Sequence, residues 1–151
     1  MHLYKICTLF CFSFFIIPGA YAAEIPDLTK GKVIVPEHIH GVKTLNAEQV
    51  IEYAVNTPEL TIIDARIRKD RDNGFIEDSI SLPDINTNCD TLQEVVKDKD
   101  KPLLFYCNGV KCGRSVVSIK VAKSCGYTNL SWFKGGFEEW KNKGFQYVTD
   151  E

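Results

Sequence analysis

The chain predicts an α/β fold, a mostly parallel central sheet flanked by helices on both faces. Three observations carry this. Apolar runs alternate with helix-like stretches at the spacing of strand–helix–strand units. Two of the runs, Leu60-Thr61-Ile62-Ile63-Asp64-Ala65 and Pro102-Leu103-Leu104-Phe105-Tyr106, are nearly unbroken rather than alternating, as in strands buried on both faces. A loop with two cysteines, two glycines, a lysine and an arginine follows the second run. That is the carboxyl end of a strand, where parallel sheets hold their ligands.

The elements follow in order. Residues 23–41 read as an irregular arm, broken by Pro26 and Pro36, with an edge strand expected near Val33-Ile34-Val35. His38 and His40 lie here without enough neighbouring ligands for a metal and are expected to be solvated or locally bonded. Asn46 is placed to cap a helix, with Gln49 completing a capping box and Val50, Tyr53 and Ala54 on its apolar face. After the first buried strand, Ile80-Ser81-Leu82 forms a short strand closed by Pro83. Asp90 is expected to cap a helix through Gln93, Val95 and Val96. Ser115 to Cys125 is helical, with Gly126 at its C-cap. A strand over Leu130 to Phe133, a helix over Gly136 to Lys143 and a short strand over Phe145 to Val148 complete the chain.

The composition bounds the function. The 151 residues are 44% hydrophobic and 25% charged, enough for one domain with a real core. A formal charge of −2 argues against a nucleic-acid partner. Residues 1–22 have the form of a secretory signal peptide: Lys5, an apolar run from Ile6 to Ile17, a break at Pro18-Gly19, and small residues at Ala20 and Ala22. An uncleaved anchor is the alternative. Cleavage leaves 17 basic and 20 acidic residues, no membrane attachment, and a periplasmic or secreted location. It also leaves four cysteines, Cys89, Cys107, Cys112 and Cys125, an even number in an oxidising compartment. Cys125 reads as a packed core residue. Cys89 reads as a polar-loop residue, either free or bridged to a partner the sequence does not name.

The cysteine loop carries the chemistry. A cysteine between a buried strand and a helix lies beside free N–H groups at the helix N-terminus, a setting that stabilises a thiolate and binds anions. The helix dipole alone favours the thiolate by about 0.3–1 kcal/mol. Lys111 and Arg114 add positive charge, while Gly109 and Gly113 are read as letting the backbone curl so that its N–H groups point inward. Cys107 is thus a candidate nucleophile that forms a covalent intermediate with no metal or other cofactor.

Three separated motifs resemble the rhodanese family. The first is Ile63-Asp64-Ala65-Arg66, followed after seven residues by Gly74-Phe75-Ile76-Glu77-Asp78-Ser79-Ile80-Ser81-Leu82-Pro83, with Phe75 where the family usually has histidine. The second is the cysteine loop. The third is Phe133-Lys134-Gly135-Gly136-Phe137-Glu138-Glu139-Trp140. The resemblance runs from about residue 42 to 148, with the domain taken as 42–151. It implies a sulfurtransferase that takes a sulfane sulfur from a small anionic donor such as thiosulfate, holds it as a persulfide on Cys107, and passes it to a thiol or other thiophilic acceptor. Asn108, Gly109, Val110, Lys111, Gly113 and Arg114 would then line the donor site. Asp64 and Arg66 match positions that brace the fold beneath the loop, and Arg66 is expected to pair with Asp70. Trp140 reads as a core anchor, and Phe133 and Lys134 as residues at the pocket mouth. A monomer is expected.

The loop departs from the commonest family pattern by two extra residues and by Cys112. Three roles stay open for Cys112: a resolving cysteine, one half of a resting disulfide with Cys107, or loop filler. The Cys107–Cys112 pair also admits a thiol–disulfide redox protein, and the loop a non-enzymatic module that carries persulfide or anion. Related phosphatases use a Cys-x5-Arg loop, but Arg114 makes this one Cys-x6-Arg.

Overall fold

A computed structural model describes residues 33–149. The expected signal peptide and most of the arm lie outside the described residues. The elements are β1 (Lys43–Leu45), α1 (Ala47–Asn56), β2 (Thr61–Asp64), α2 (Arg68–Arg71), β3 (Ile80–Ser81), α3 (Cys89–Val95), β4 (Leu103–Tyr106), α4 (Arg114–Ser124), β5 (Leu130–Phe133) and α5 (Gly136–Asn142). The five strands are all parallel, in the order β1-β5-β4-β2-β3. β4 is central, so the cysteine loop leaves the sheet at its middle.

The nearly unbroken apolar strands are explained by two cores, one on each face. Successive side chains of a strand point to opposite faces. Leu103 and Phe105 of β4 therefore join Ile63, Leu130 and Trp132 under α3 and α4. Leu104 and Tyr106 join Ile62 and Phe133 under α1 and α5. All four residues of β4 are fully buried.

Local chemistry sets the helix ends. Asn46 accepts from the Gln49 N–H at 2.9 Å, and Gln49 Oε1 accepts from the Asn46 N–H at 3.0 Å, so the capping box forms at α1. An alanine at such an N-cap costs about 1 kcal/mol. The cap of α3 is Asn88 rather than Asp90. Its side chain accepts from the N–H groups of Asp90 (2.9 Å) and Thr91 (3.0 Å), and Thr91 reaches back to the Asn88 N–H. The reciprocal bond is available because Thr91 stands three residues after Asn88, and it satisfies an N–H that a cap at Asp90 would leave open. α4 stops at Gly126, where φ is +89°.

Three further expectations are corrected. Val33 to Val35 form no strand; Val33 and Val35 instead pack sideways onto the α3/α4 core, with Ile39 buried beside them. Pro36 has no N–H to offer a ladder, and the edge beside β5 is taken by Lys43–Leu45. Among the described residues, Phe145 to Val148 make only one antiparallel bridge, between Val148 and Phe75. Cys125 is buried, yet it is also bonded to Cys89, which opens α3 instead of lying in a loop. Their Cα atoms stand 5.4 Å apart, inside the ordinary disulfide range. The bridge ties the start of α3 to the end of α4.

Candidate active site

Cys107 directly follows β4, and the loop it opens runs to Gly113, the N-cap of α4. Cys107 is 2% exposed. It is joined across the loop to Cys112 by a disulfide, with Cα atoms 6.3 Å apart. A turn from the Cys112 N–H to the Gly109 carbonyl, 2.9 Å, brings the second cysteine back over the first.

The Cys107 sulfur has a specific polar partner. Ser115, in the first turn of α4, directs its hydroxyl at this sulfur from 3.4 Å. The Ser115 oxygen accepts in turn from the Trp132 indole N–H at 2.9 Å. Trp132 uses one lone pair of this oxygen, and the hydroxyl proton is donated to the sulfur. All three residues are almost fully buried, where a hydrogen bond to an anion is strongest. Gly113 gives α4 no side-chain cap, so the first N–H groups of the helix remain for an anion in the loop. The Cys112 carbonyl oxygen lies 3.1 Å from the same sulfur, a contact that a thiol uses and a thiolate does not. It works against the anion, while the Ser115 bond and the helix N-terminus work for it.

The other loop residues are placed as follows. Asn108 donates from Nδ2 to the Asp70 carboxylate at 2.9 Å. Arg114 also turns to Asp70, with Nη1 3.7 Å from Oδ2. Asp70 thus ties both ends of the loop to α2 and draws the Arg114 charge to itself. Val110 and Lys111 stand exposed on the outer side. Gly113 has an ordinary φ of −82°, and Gly109 is likewise outside the left-handed region. Their missing side chains serve close packing, since a Cβ would run into Glu138 at Gly109 and into Val33 at Gly113. Asn108, Gly109, Val110, Lys111, Cys112 and Glu138 line a surface groove of about 350 Å³. A larger cavity of about 570 Å³ lies against α1 near Trp140 and Phe145, with no loop residue in its wall.

The glycine pair after β5 holds the loop from the other side. Gly136 has φ +59°, and a Cβ there would sit 2.3 Å from the Cys107 carbonyl oxygen. Without one, the Phe137 N–H donates to the Cys107 carbonyl at 2.9 Å and the Glu138 N–H to the Asn108 carbonyl at 2.7 Å. Trp140 is buried in the α1/α5 core and donates its indole N–H to the Gln146 carbonyl. Phe133 and Lys134 do not line the groove. Phe133 is fully buried in the α1/α5 core, because its strand position faces that side, and Lys134 pairs with Glu37 at 2.8 Å.

Beneath the loop lies a buried charge cluster. Arg66 holds Asp64 at two points, Nε to Oδ1 at 2.8 Å and Nη2 to Oδ2 at 2.6 Å. Arg71 adds a bond at 3.1 Å and the Tyr106 hydroxyl donates at 2.7 Å. The expected Arg66–Asp70 ion pair is absent; Arg66 reaches only the Asp70 carbonyl, because Asp64 is nearer and better aligned for the guanidinium fork. Burial pushes the Asp64 carboxyl up, but the bonds and charge of Arg66 outweigh it and hold the pKa below the usual range. Burial, and then the Asp64 charge, push the Tyr106 phenol upward. Tyr106 immediately precedes Cys107, so this cluster fixes the strand end from which the cysteine projects.

This fold has counterparts among known proteins. The model of the rhodanese-like domain matches residues 46–143. The chain belongs to the rhodanese family. A rhodanese domain-containing protein of Drosophila melanogaster is 33% identical over 100 residues, 58% of this chain and 87% of its own length. Solved rhodanese-like folds are more distant. A thiosulfate sulfurtransferase of Pseudomonas aeruginosa is 23% identical with a TM-score of 0.58, over 73% of this chain and 21% of its own. A Rhodopseudomonas palustris protein of unknown function, a possible tyrosine phosphatase, is 22% identical with a TM-score of 0.61, over 75% of this chain and 98% of its own. These two likenesses are of fold. The family includes sulfurtransferases, and this rhodanese domain is consistent with that activity at the family level.

Sequence reading missed Ser115, Trp132, Asp70 and Gly136 as parts of the site. Ser115 carried one signal, a small polar residue in the first turn after the loop on a face otherwise filled by Val116 and Ile119. Trp132 and Asp70 gave none, because they reach the loop from β5 and α2 through space.

Proposed function

We propose that this rhodanese domain is a sulfurtransferase that carries a sulfane sulfur as a persulfide on Cys107. The observation that carries the reading is the buried Cys107 sulfur facing the Ser115 hydroxyl at the uncapped N-terminus of α4. Both features stabilise a negative sulfur, which is the form that attacks and the form of the product persulfide. The Cys107 thiolate attacks the outer sulfur of thiosulfate. The sulfur–sulfur bond breaks, sulfite leaves with the electron pair, and Cys107 holds the persulfide. An external thiol then removes the terminal sulfur. Alternatively, the Cys112 thiolate attacks the Cys107 sulfur, hydrosulfide leaves, and the Cys107–Cys112 disulfide closes. That route requires a thiol reductant as partner.

Location and assembly are part of the same proposal. A secreted or periplasmic location, free of the membrane after leader cleavage, is supported by the leader-like pattern in residues 1–22 and by the Cys89–Cys125 bridge, and a monomer remains the expected assembly.

The disulfide itself favours one second reading, a thiol–disulfide exchange protein that works through Cys107 and Cys112 and carries no sulfur. Intact mass decides between them. The reduced, desalted mature protein is exposed to thiosulfate. Gain of one sulfur atom, lost in Cys107→Ser and kept in Cys112→Ser, is expected. If neither the wild type nor Cys112→Ser, which cannot resolve the persulfide, gains sulfur from thiosulfate or polysulfide, the protein is not a sulfurtransferase.

A further inference from the structure

The two sulfurs of the loop disulfide have unequal surroundings. Cys107 is 2% exposed and accepts the Ser115 hydroxyl. Cys112 is half-buried and lines the surface groove together with Lys111 and Glu138, a groove whose wall does not include Cys107. Thiol–disulfide exchange is directed by which sulfur can be reached and by which thiolate leaves more readily. Here both criteria select the same direction. The cysteine at the surface groove is Cys112, and the stabilised leaving group is Cys107.

From this we infer that Cys112 is the partner-facing cysteine: an external dithiol reductant attacks Cys112 and expels the Cys107 thiolate. The inference rests on the reading of Cys107 as the working thiol. In the first step the reductant's thiolate forms a bond to the Cys112 sulfur, the Cys107–Cys112 bond breaks, and its electron pair stays on Cys107. In the second step the reductant's other thiol attacks its own sulfur in the mixed disulfide and releases the Cys112 thiolate, which takes up a proton. The reductant ends as a disulfide, and the loop has gained two electrons.

Order follows from the same asymmetry. With Cys112 bonded over it, Cys107 is closed to a sulfur donor. Reduction therefore precedes loading, and attack at Cys112 both removes the cover and leaves Cys107 in its reactive form. The exposed Val110 at the loop tip gives the reductant an apolar contact beside its target.

The test uses glutathione as a monothiol probe on the oxidised mature protein. A brief exchange is quenched with acid, free thiols are alkylated, and trypsin cuts after Lys111, which separates the two cysteines into different peptides. Glutathione on the Cys112 peptide and alkyl on the Cys107 peptide are expected, with an excess over the reverse of about tenfold or more. Glutathione mainly on Cys107, or equally on both, overturns the inference. Where recyclisation outruns the quench, the rate of reduction by glutathione decides. Ser115→Ala slows it about tenfold if Cys107 is the leaving group and leaves it unchanged if Cys112 is. An unchanged rate overturns the inference. Sulfur loading is scored separately. A protein that takes glutathione on Cys112 but whose Cys112→Ser variant never gains sulfur fails the sulfurtransferase reading alone, whereas one that loads sulfur but takes glutathione on Cys107 fails only the direction of exchange.

Discussion

Trp132 and Ser115 meet beneath the active loop, with the indole N–H donating to the serine hydroxyl oxygen at 2.9 Å. Through this bond a tryptophan on β5 orients the Ser115 hydroxyl that faces the Cys107 sulfur. Phenylalanine at 132 keeps most of the volume and removes the donor. In the reduced protein, Ser115→Ala should lower the alkylation rate of Cys107 at neutral pH by about tenfold, since a hydrogen bond to a charged group contributes about 1.5–3 kcal/mol. Trp132→Phe should act in the same direction but less. Both pH–rate profiles for alkylation should move to higher pH. In the double variant the Trp132 change should add little, because the residue acts through Ser115. Profiles identical to wild type would remove Trp132 from the site.

The two disulfides should differ in their effect on stability. Cys89–Cys125 spans 36 residues and Cys107–Cys112 spans 5. Loop-closure entropy then gives about 3–4 kcal/mol for the first and about 2 kcal/mol for the second. Cys89→Ser should therefore shift the urea midpoint more than Cys112→Ser and should leave the sulfur-loading step intact. Equal shifts would contradict the assignment of Cys89–Cys125 as the structural bridge.

Gly136 should tolerate no side chain. Gly136→Ala places a Cβ against the Cys107 carbonyl and forces a left-handed residue, breaking the two hydrogen bonds that hold the loop from α5. Gly144 is the control, with φ +73° and open space around it. Gly144→Ala should cost only the left-handed penalty of about 1–2 kcal/mol and keep activity. Gly136→Ala should cost more and abolish sulfur transfer. Thermal melts and thiosulfate turnover on the two variants check this.

Asp64 should be a determinant of acid stability. Its carboxyl lies below its ordinary pKa when folded, so its contribution is complete above the unfolded value near about 4 and is lost as pH falls through the folded value. Asp64→Asn leaves Arg66 and Arg71 buried without a counter-charge, which should cost about 3–5 kcal/mol at pH 7. The difference from wild type should shrink as pH falls below the unfolded value, where the unfolded carboxylate takes up a proton that the folded one still refuses. Urea titrations at several pH values measure it. A difference that grows on acidification would reverse the sign argued here.

Much of the fold was legible in the chain because local physics dictated it. The unbroken apolar run of β4 requires burial on both faces, and the Asn46–Gln49 box is written within four residues. Two local choices between competing partners, and one contact between distant residues, were misread. Thr91 moved the cap of α3 to Asn88, and Cys125 looked like a packed core residue until α3 brought Cys89 to it. Arg66 turned to Asp64, two residues away, where the bidentate geometry is better than at Asp70.

By itself, the sequence determined that Cys107 ends a buried parallel strand and opens a loop at a helix N-terminus, because hydrophobic period and helix-end chemistry are local properties. Only the tertiary structure decided the company of that cysteine. Ser115 hydrogen-bonds its sulfur, Trp132 sets the serine, Asp70 takes the arginine charge and Gly136 admits the loop backbone. These residues arrive from α4, β5, α2 and α5, and their meeting point is set by how the sheet and helices pack rather than by spacing along the chain. The same packing made the two loop sulfurs unequal, burying Cys107 and leaving Cys112 at the groove.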